Sequence, residues 1–395
     1  MSTPVNLAGQ VRLQPGRPLP TVHSSRPELA PRLAAGRPAD ELPTLMGALF
    51  TLCAHAHRLA TRLAVAAARH GVVPPSAAER QALQLATARD QVLRIAHDWP
   101  RLLPGAPGQA AEPGADPLQL RACPLWRADL APADQLAALP AWLQHKWLGM
   151  APADWLQRRD ADPLGWASRW CRQADGPVAA TLRPQRAACE RLATAAHALD
   201  LLHNPMLTLP MLARQLVQPG FCSQPLWQGS LADTGPWSRH QDPLRLPAHN
   251  AWMRLVSRLV DLLRLAMPGG ADWLTAGALT LPGHAGIAWV EMARGLLVHR
   301  VQLAADGLQV ANAQVLAPTD WNFHPRGLLA RALVPVHDAD DARRLAVAFD
   351  PCVEFSVDGA PGPRDTAAHT PEGSCPPWDG PAADSPFDRS PSCMR

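Results

Sequence analysis

Apolar residues recur at three- and four-residue steps from Leu45 to Ala67, through Leu49, Leu52, Cys53, Ala56, Leu59 and Leu63. This spacing lays one apolar stripe along a helix, with Thr44 placed to cap it and Gly71 to end it. Ser76-Ala-Ala-Glu79 is a capping box that opens a second helix, which runs to Trp99 and is stopped by Pro100. Pro124 to Asp200 has helical patterning and carries Trp126, Trp142, Trp147, Trp155, Trp166 and Trp170. Leu201 to Gln241 is loop-rich, and Trp252 to Met267 is a strongly amphipathic helix. From Gly286 to Leu316 the pattern turns to β, and Asp306-Gly307 between apolar runs is a hairpin signal. Val5 to Leu13 alternates apolar and polar residues and reads as a short strand. A helix from about Asp340 leads into Phe349-Asp350-Pro351-Cys352. The pattern predicts a mostly α chain with smaller β pieces, an α+β fold in which the helices over 44–70 and 76–99 pack centrally.

Composition sets the bounds. With 395 residues, 47% of them hydrophobic, the chain can bury a large core. One domain is expected over residues 1–357, crossed by a Pro/Gly/Ala linker at about 104–117. Residues 358–395 are rich in Pro, Gly, Ser, Asp and Ala and read as a disordered tail, so Cys375 and Cys393 lie away from any buried site. A net charge of +3 gives no strong attraction to polyanions, and nucleic acid is not an expected partner. No run of about 18 apolar residues exists to span a membrane. The proline-broken opening is no signal peptide, so a reduced cytoplasm with free thiols is the expected compartment. The cysteines form no Cys-x-x-Cys pair, which weakens a zinc-ribbon reading.

The candidate chemistry lies at the two ends of the patterned chain. Cys352 follows Asp350-Pro351 behind a helix, and Cys53 sits inside the first apolar helix. One thiolate from each end, brought together in a core, is a way to hold a soft metal unit. Cys53 and His57 are four apart and share a helix face; a core cysteine beside a core histidine fits the same spacing. His97 is a helix-end histidine suited to meet the dipole. Taken by itself, Arg294 reads as a surface strand arginine. The tryptophans suit a core, or, where exposed, a surface on which a partner docks.

Several of these stretches resemble the large subunits of nickel–iron hydrogenases. Asp350-Pro-Cys352 is similar to the first half of their C-terminal signature, Asp-Pro-Cys-x-x-Cys, and Cys53 to His57 to the second half of their N-terminal one. Val5 to Leu13 resembles their first strand, where a gating glutamate falls on Ala8. Leu93 to Trp99 resembles their His-Ala-Leu-Asp-Trp helix end. Ala232 to Arg239 resembles Glu-Val-Gly-Pro-Leu-Ala-Arg. Glu291-Met-Ala-Arg294-Gly295 with His299 resembles Glu-Ala-Pro-Arg-Gly-x-x-x-His. Pro318-Thr-Asp-Trp321-Asn322 resembles Pro-Thr-Thr-Trp-Asn. The shared order implies that family's fold, a central helix bundle with small peripheral sheets. It implies Cys53 and Cys352 as metal ligands, with His57, Glu291, Arg294 and His97 around them.

The departures carry the functional expectation. Phe50 and Phe355 stand where two of the four metal cysteines are expected, and Asp358 stands where the family is clipped after nickel insertion. This combination resembles the HupK/HoxV group of hydrogenase assembly proteins. The resemblance implies a scaffold rather than an enzyme, without nickel, that transiently holds an iron unit, Fe(CN)2CO. It would pass the unit to the hydrogenase large-subunit precursor and work with HypC-type maturation chaperones. The alternative is a metal-free chaperone that binds the precursor; a residual hydrogen-activating enzyme is a third reading. An unclipped chain with an open, mobile segment after Cys352 is also expected.

Overall fold

The first helix pair owes its shape to packing rather than to local signals. In a computed structural model, which describes residues 8–105 and 118–359, the expected helix over 44–70 is two helices. α1 (Leu42–Leu49) and α2 (Ala54–Arg69) meet at a corner made by a turn over Thr51–Cys53. Phe50 (φ −112°, ψ 62°) and Cys53 (φ −128°, ψ 34°) leave helical geometry there. No proline or glycine marks the break. The Phe50 ring instead lies flat on the His57 imidazole, with centroids 3.9 Å apart and planes at 13°, so a tertiary contact overrides a continuous helical pattern. The corner places Cys53 at the N-terminal end of α2 rather than within a helix.

α3 (Ala77–Leu93) starts as expected: Ser76 accepts from the Glu79 N–H while the Glu79 carboxylate accepts from the Ser76 N–H. It continues through a wide π-turn over Arg94–Asp98 into Trp99–Leu102, two residues past Pro100. Proline is tolerated there because it opens a new helical turn, where its missing N–H is not needed. α4 (Ala251–Leu265) is capped by Asn250 and buried almost all round. It packs against α3 and against α5 (Ala339–Phe349), whose C-terminus delivers Cys352. Trp142, Trp147, Trp155, Trp166 and Trp170 are buried, and Trp126 is exposed. Trp155 meets Trp166 and Trp170 edge to face, so these rings build core.

Two sheets complete the unit. β1 (Val11–Leu13) pairs antiparallel with β2 (Val22–Ser24) and parallel with β7 (Phe355–Val357). The expected strand over Val5–Leu13 is thus three residues long among those described, and residues 1–7 lie outside them. β3 (Ala276–Leu281), β4 (Ala285–Met292), β5 (Gly295–Leu303) and β6 (Val310–Leu316) form an antiparallel meander with order β3-β4-β5-β6. β4 is buried along its whole length. Its alternate residues serve two cores: Ala288, Val290 and Met292 join the main one, and Ala285, Ile287 and Trp289 join a second one with Leu209 and Leu212. α2 packs across β4 and β5.

The described residues fall in one compact unit. Linker residues 106–117 and the tail from residue 360 lie outside them, together with Cys375 and Cys393. At the tail boundary the structure differs from the sequence expectation. Asp358 accepts from Arg12 Nε at 2.6 Å and from Gln14 Nε2 at 2.9 Å, and its own N–H donates to Leu13. The segment just after Cys352 is therefore a strand tied to β1 rather than an open end.

Candidate metal centre

α5 ends on Asp350, which takes a left-handed conformation (φ 56°, ψ 78°) and turns the chain into Pro351-Cys352. A non-glycine residue there is strained by order of 1–3 kcal/mol. Its fully buried carboxylate meets Arg258 Nη2 at 2.7 Å, Arg94 Nε at 3.0 Å and Arg294 Nε at 3.3 Å. Burial alone would raise this carboxyl; the guanidiniums of Arg258, Arg94 and Arg294 overcome it and hold it below the usual carboxylate range. The three arginines come from the end of α3, from α4 and from the turn between β4 and β5. Asp350 thus locks the loop bearing Cys352 onto three elements.

Cys352 is fixed by Thr319 in the short helix Pro318–Asn322. The Thr319 hydroxyl donates to Cys352 Sγ at 3.1 Å and accepts from the Cys352 N–H at 3.2 Å. The Cys53 thiol lies deep among protein atoms although part of the residue reaches the surface. Burial pushes it up to about 12; Arg294 opposes that rise, while the charge of Cys352 adds to it. The sulfurs from the two ends of the chain thus act on one another electrostatically. Free at pH 7, Cys53 is a thiol, and binding a metal there must expel its proton.

Arg294 reaches this site from a place the sequence reading did not see. Met292 pairs with Gly295, so Ala293-Arg294 is a two-residue hairpin turn, not strand interior. Gly295 (φ +129°) is required there, because a Cβ would lie 2.6 Å from Thr234 Oγ1. Arg294 is buried, and its Nε and Nη1 are turned to the carboxylates of Asp350 and Asp90 in ion pairs too long or too poorly aligned for hydrogen bonds. Asp90 stands 3.8 Å from Arg294 Nη1, and burial raises its carboxyl to about 6 against the pull of Arg294 and Arg94.

The other expected residues lie further out. His57 Nδ1 meets His299 Nε2 at 3.0 Å, and Thr61 Oγ1 meets His299 Nδ1 at 3.1 Å. Burial lowers both imidazoles, His299 to about 3, so the pair is neutral and packs α2 onto β5. Glu291 stands on the face of β4 that looks away from α2. Its oxygens accept from the N–H groups of His240 and Thr275, and strand alternation puts it on the side of β4 that Ile287 and Trp289 turn to the second core. His97 is half exposed on the π-turn and reaches the site only through a relay: it bonds Asp98, which pairs with Arg94, which pairs with Asp350. Phe355 sits in β7, paired with Val11. Ala8, where the family glutamate is expected, is exposed. Asp350, Thr319 and Asp90 escaped the sequence reading of the site, although Asp350 and Thr319 stood inside motifs it quoted.

Among the described residues, no group of three or more His, Cys, Asp or Glu side chains could hold a metal ion. Two thiols flanked by guanidiniums suit a unit that brings most of its own ligands.

The fold is that of the large subunits of nickel–iron hydrogenases. The chain aligns with the NAD+-reducing NiFe-hydrogenase in its H2-reduced state over 84% of its own length and 91% of that chain, with a TM-score of 0.50 at 17% identity. It aligns with the Ni-Fe-Se hydrogenase of D. vulgaris Hildenborough in the as-isolated oxidised state with a TM-score of 0.50 at 16% identity, over 84% of this chain and 92% of that one. No protein-family model matches. The hydrogenase expression/formation protein HoxV of Cupriavidus necator is 36% identical over 386 residues, 93% of this chain and 99% of the relative. HupK of Rhizobium leguminosarum bv. viciae is 32% identical over 370 residues, 85% of this chain and 91% of the relative. The chain belongs to this HoxV/HupK family of hydrogenase expression/formation proteins.

Proposed function

We propose that this protein acts in nickel–iron hydrogenase maturation as a scaffold that transiently holds an Fe(CN)2CO unit between Cys53 and Cys352 and delivers it to the large-subunit precursor. One observation carries the reading: a hydrogenase large-subunit fold keeps Cys53 and Cys352, one from each signature, with phenylalanine at both other cysteine positions. Two thiolates cannot build the nickel–iron pair. They can complete the shell of an iron that already carries three diatomic ligands, a soft low-spin unit suited to thiolate. The unit is cargo, and nickel is not part of it. Delivery implies contact with the large-subunit precursor and exchange with HypC-type maturation chaperones in the cytoplasm. No helix among the described residues is long and apolar enough to cross a membrane.

The alternative is a metal-free chaperone for the same precursor. Cys53→Ala and Cys352→Ala separate the two readings. Each change costs about 1–2 kcal/mol, within the common range for point mutants, so the fold survives. Protein made beside the maturation machinery should lose its iron in either variant while its circular dichroism is unchanged. Full iron retention in both variants would leave only the chaperone.

A further inference from the structure

Arg26 follows β2 and was not singled out by any motif. Its side chain is only 15% exposed. Nη1 donates to Asp320 Oδ1, and the other Asp320 oxygen accepts the Ala317 N–H at 2.7 Å. The guanidinium is thereby anchored to the first turn of the Pro318–Asn322 helix. It makes no other hydrogen bond among the described residues, and its charge acts on Cys352 and Cys53. It also lines a cavity of about 300 Å³, together with Phe50, Thr319, Cys222 and Gln314.

That cavity borders the Cys352 side of the thiol site. Thr319, which lines it, donates its hydroxyl to Cys352 Sγ at 3.1 Å. At about 30 Å³ per water, it has room for roughly ten water-sized groups, ample for a few diatomic ligands. Two departures from the large-subunit pattern face it. Phe50 stands in place of a metal cysteine, and Asp320 stands in place of a threonine. A guanidinium held by a buried carboxylate on one side, with N–H groups left over, is a preorganised donor for a small anion.

We infer that Arg26, oriented by Asp320, is an anion-binding contact for the cyanide ligands of the iron unit, and that this cavity receives them. Arg26 stands on the Cys352 side of the site, held there by Asp320, whose neighbour Thr319 bonds Cys352. The inference rests on the scaffold reading for the identity of the anion, but not for the existence of the contact.

The test uses the full chain in two forms. Removing Arg26 alone would strand a buried Asp320, so the double variant Arg26→Gln with Asp320→Asn is compared with Arg26→Lys and wild type. In iron-free protein, alkylation of Cys352 by iodoacetate and by neutral iodoacetamide is followed by peptide mass spectrometry. The double variant keeps the net charge and removes the guanidinium donors, so losing a hydrogen bond to the carboxylate of iodoacetate should lower the iodoacetate-to-iodoacetamide rate ratio by about three- to tenfold, and Arg26→Lys should keep most of it. In iron-loaded protein the double variant should release iron several-fold faster and show shifted cyanide stretches in the infrared. An unchanged reagent ratio in the double variant would overturn the inference even if wild type holds iron. A wild type that never loads iron would instead overturn the scaffold reading, with the reagent ratio still deciding the role of Arg26.

Discussion

Asp350 is one carboxylate answering three guanidiniums, those of Arg258 and Arg294 buried and that of Arg94 partly exposed, and the site stands on it. Removing one partner of a buried ion pair typically costs about 3–5 kcal/mol. Asp350→Asn should therefore lower the urea midpoint severely, whereas an Asp98→Asn change on the exposed side of Arg94 should not. The pH dependence has a definite sign. The folded Asp350 carboxyl sits below its unfolded value, so its contribution is complete above the unfolded carboxylate range. It is lost as pH falls through the depressed folded value. Asp90 behaves oppositely. Raised to about 6, it favours the fold while protonated, below its unfolded value, and this contribution is lost as pH rises through 6. Asp90→Asn should stabilise the protein by about 1–3 kcal/mol at pH 8, with the gain shrinking towards pH 4. Urea titrations at the two pH values check this; an equal effect at both would contradict the assignment. Sequence marked Asp350 through its neighbours Pro351 and Cys352. It could not reveal the charges it answers, because Arg94, Arg258 and Arg294 are brought to it only by folding.

Among the elements, α2 and β4 set the distance between the first cysteine and the sheet. A Cβ on Gly286 would lie 2.1 Å from the Ala64 carbonyl oxygen and 2.8 Å from the Ala68 nitrogen, both backbone atoms. Gly286→Ala must push α2 off the sheet and should cost about 1–3 kcal/mol or more by overpacking, read as a fall in Tm. β7 makes a second element-level prediction. The Val11 N–H donates to Glu354 and the Asp358 N–H to Leu13, so both amides should exchange slowly in deuterium exchange. Rapid exchange at both would restore the open segment expected from sequence. Local chemistry was legible wherever it acts locally, as in the Ser76–Glu79 box and the Asp306-Gly307 turn. The corner at Phe50–Cys53 was not legible, because the apolar stripe runs through it unbroken and a ring stacked on His57 bends it. The Ala293-Arg294 turn was hidden because neither residue is a turn former; Gly295 beside it was the one available signal.

At the scale of the whole molecule, a hydrogenase large-subunit fold carries two of the four expected signature cysteines, with phenylalanine at the other two positions. The shared order of short motifs made the architecture legible despite 17% identity to a solved relative. The Arg26–Asp320 pair was illegible, since its partners lie 294 positions apart. No hydrogen turnover is expected, because Phe50, Phe355 and Ala8 occupy the positions that nickel binding and proton exit would need. Hydrogen uptake assayed with an artificial acceptor should stay at background, and nickel should be far below one per chain. The central claim is that the two thiols carry an iron unit with diatomic ligands. The most direct test is the infrared spectrum of protein purified anaerobically from a host that contains the maturation machinery, with iron measured on the same sample. The account predicts cyanide and carbon monoxide stretches and iron approaching one per chain, both lost in Cys352→Ala; a folded, iron-free protein without such bands would contradict it.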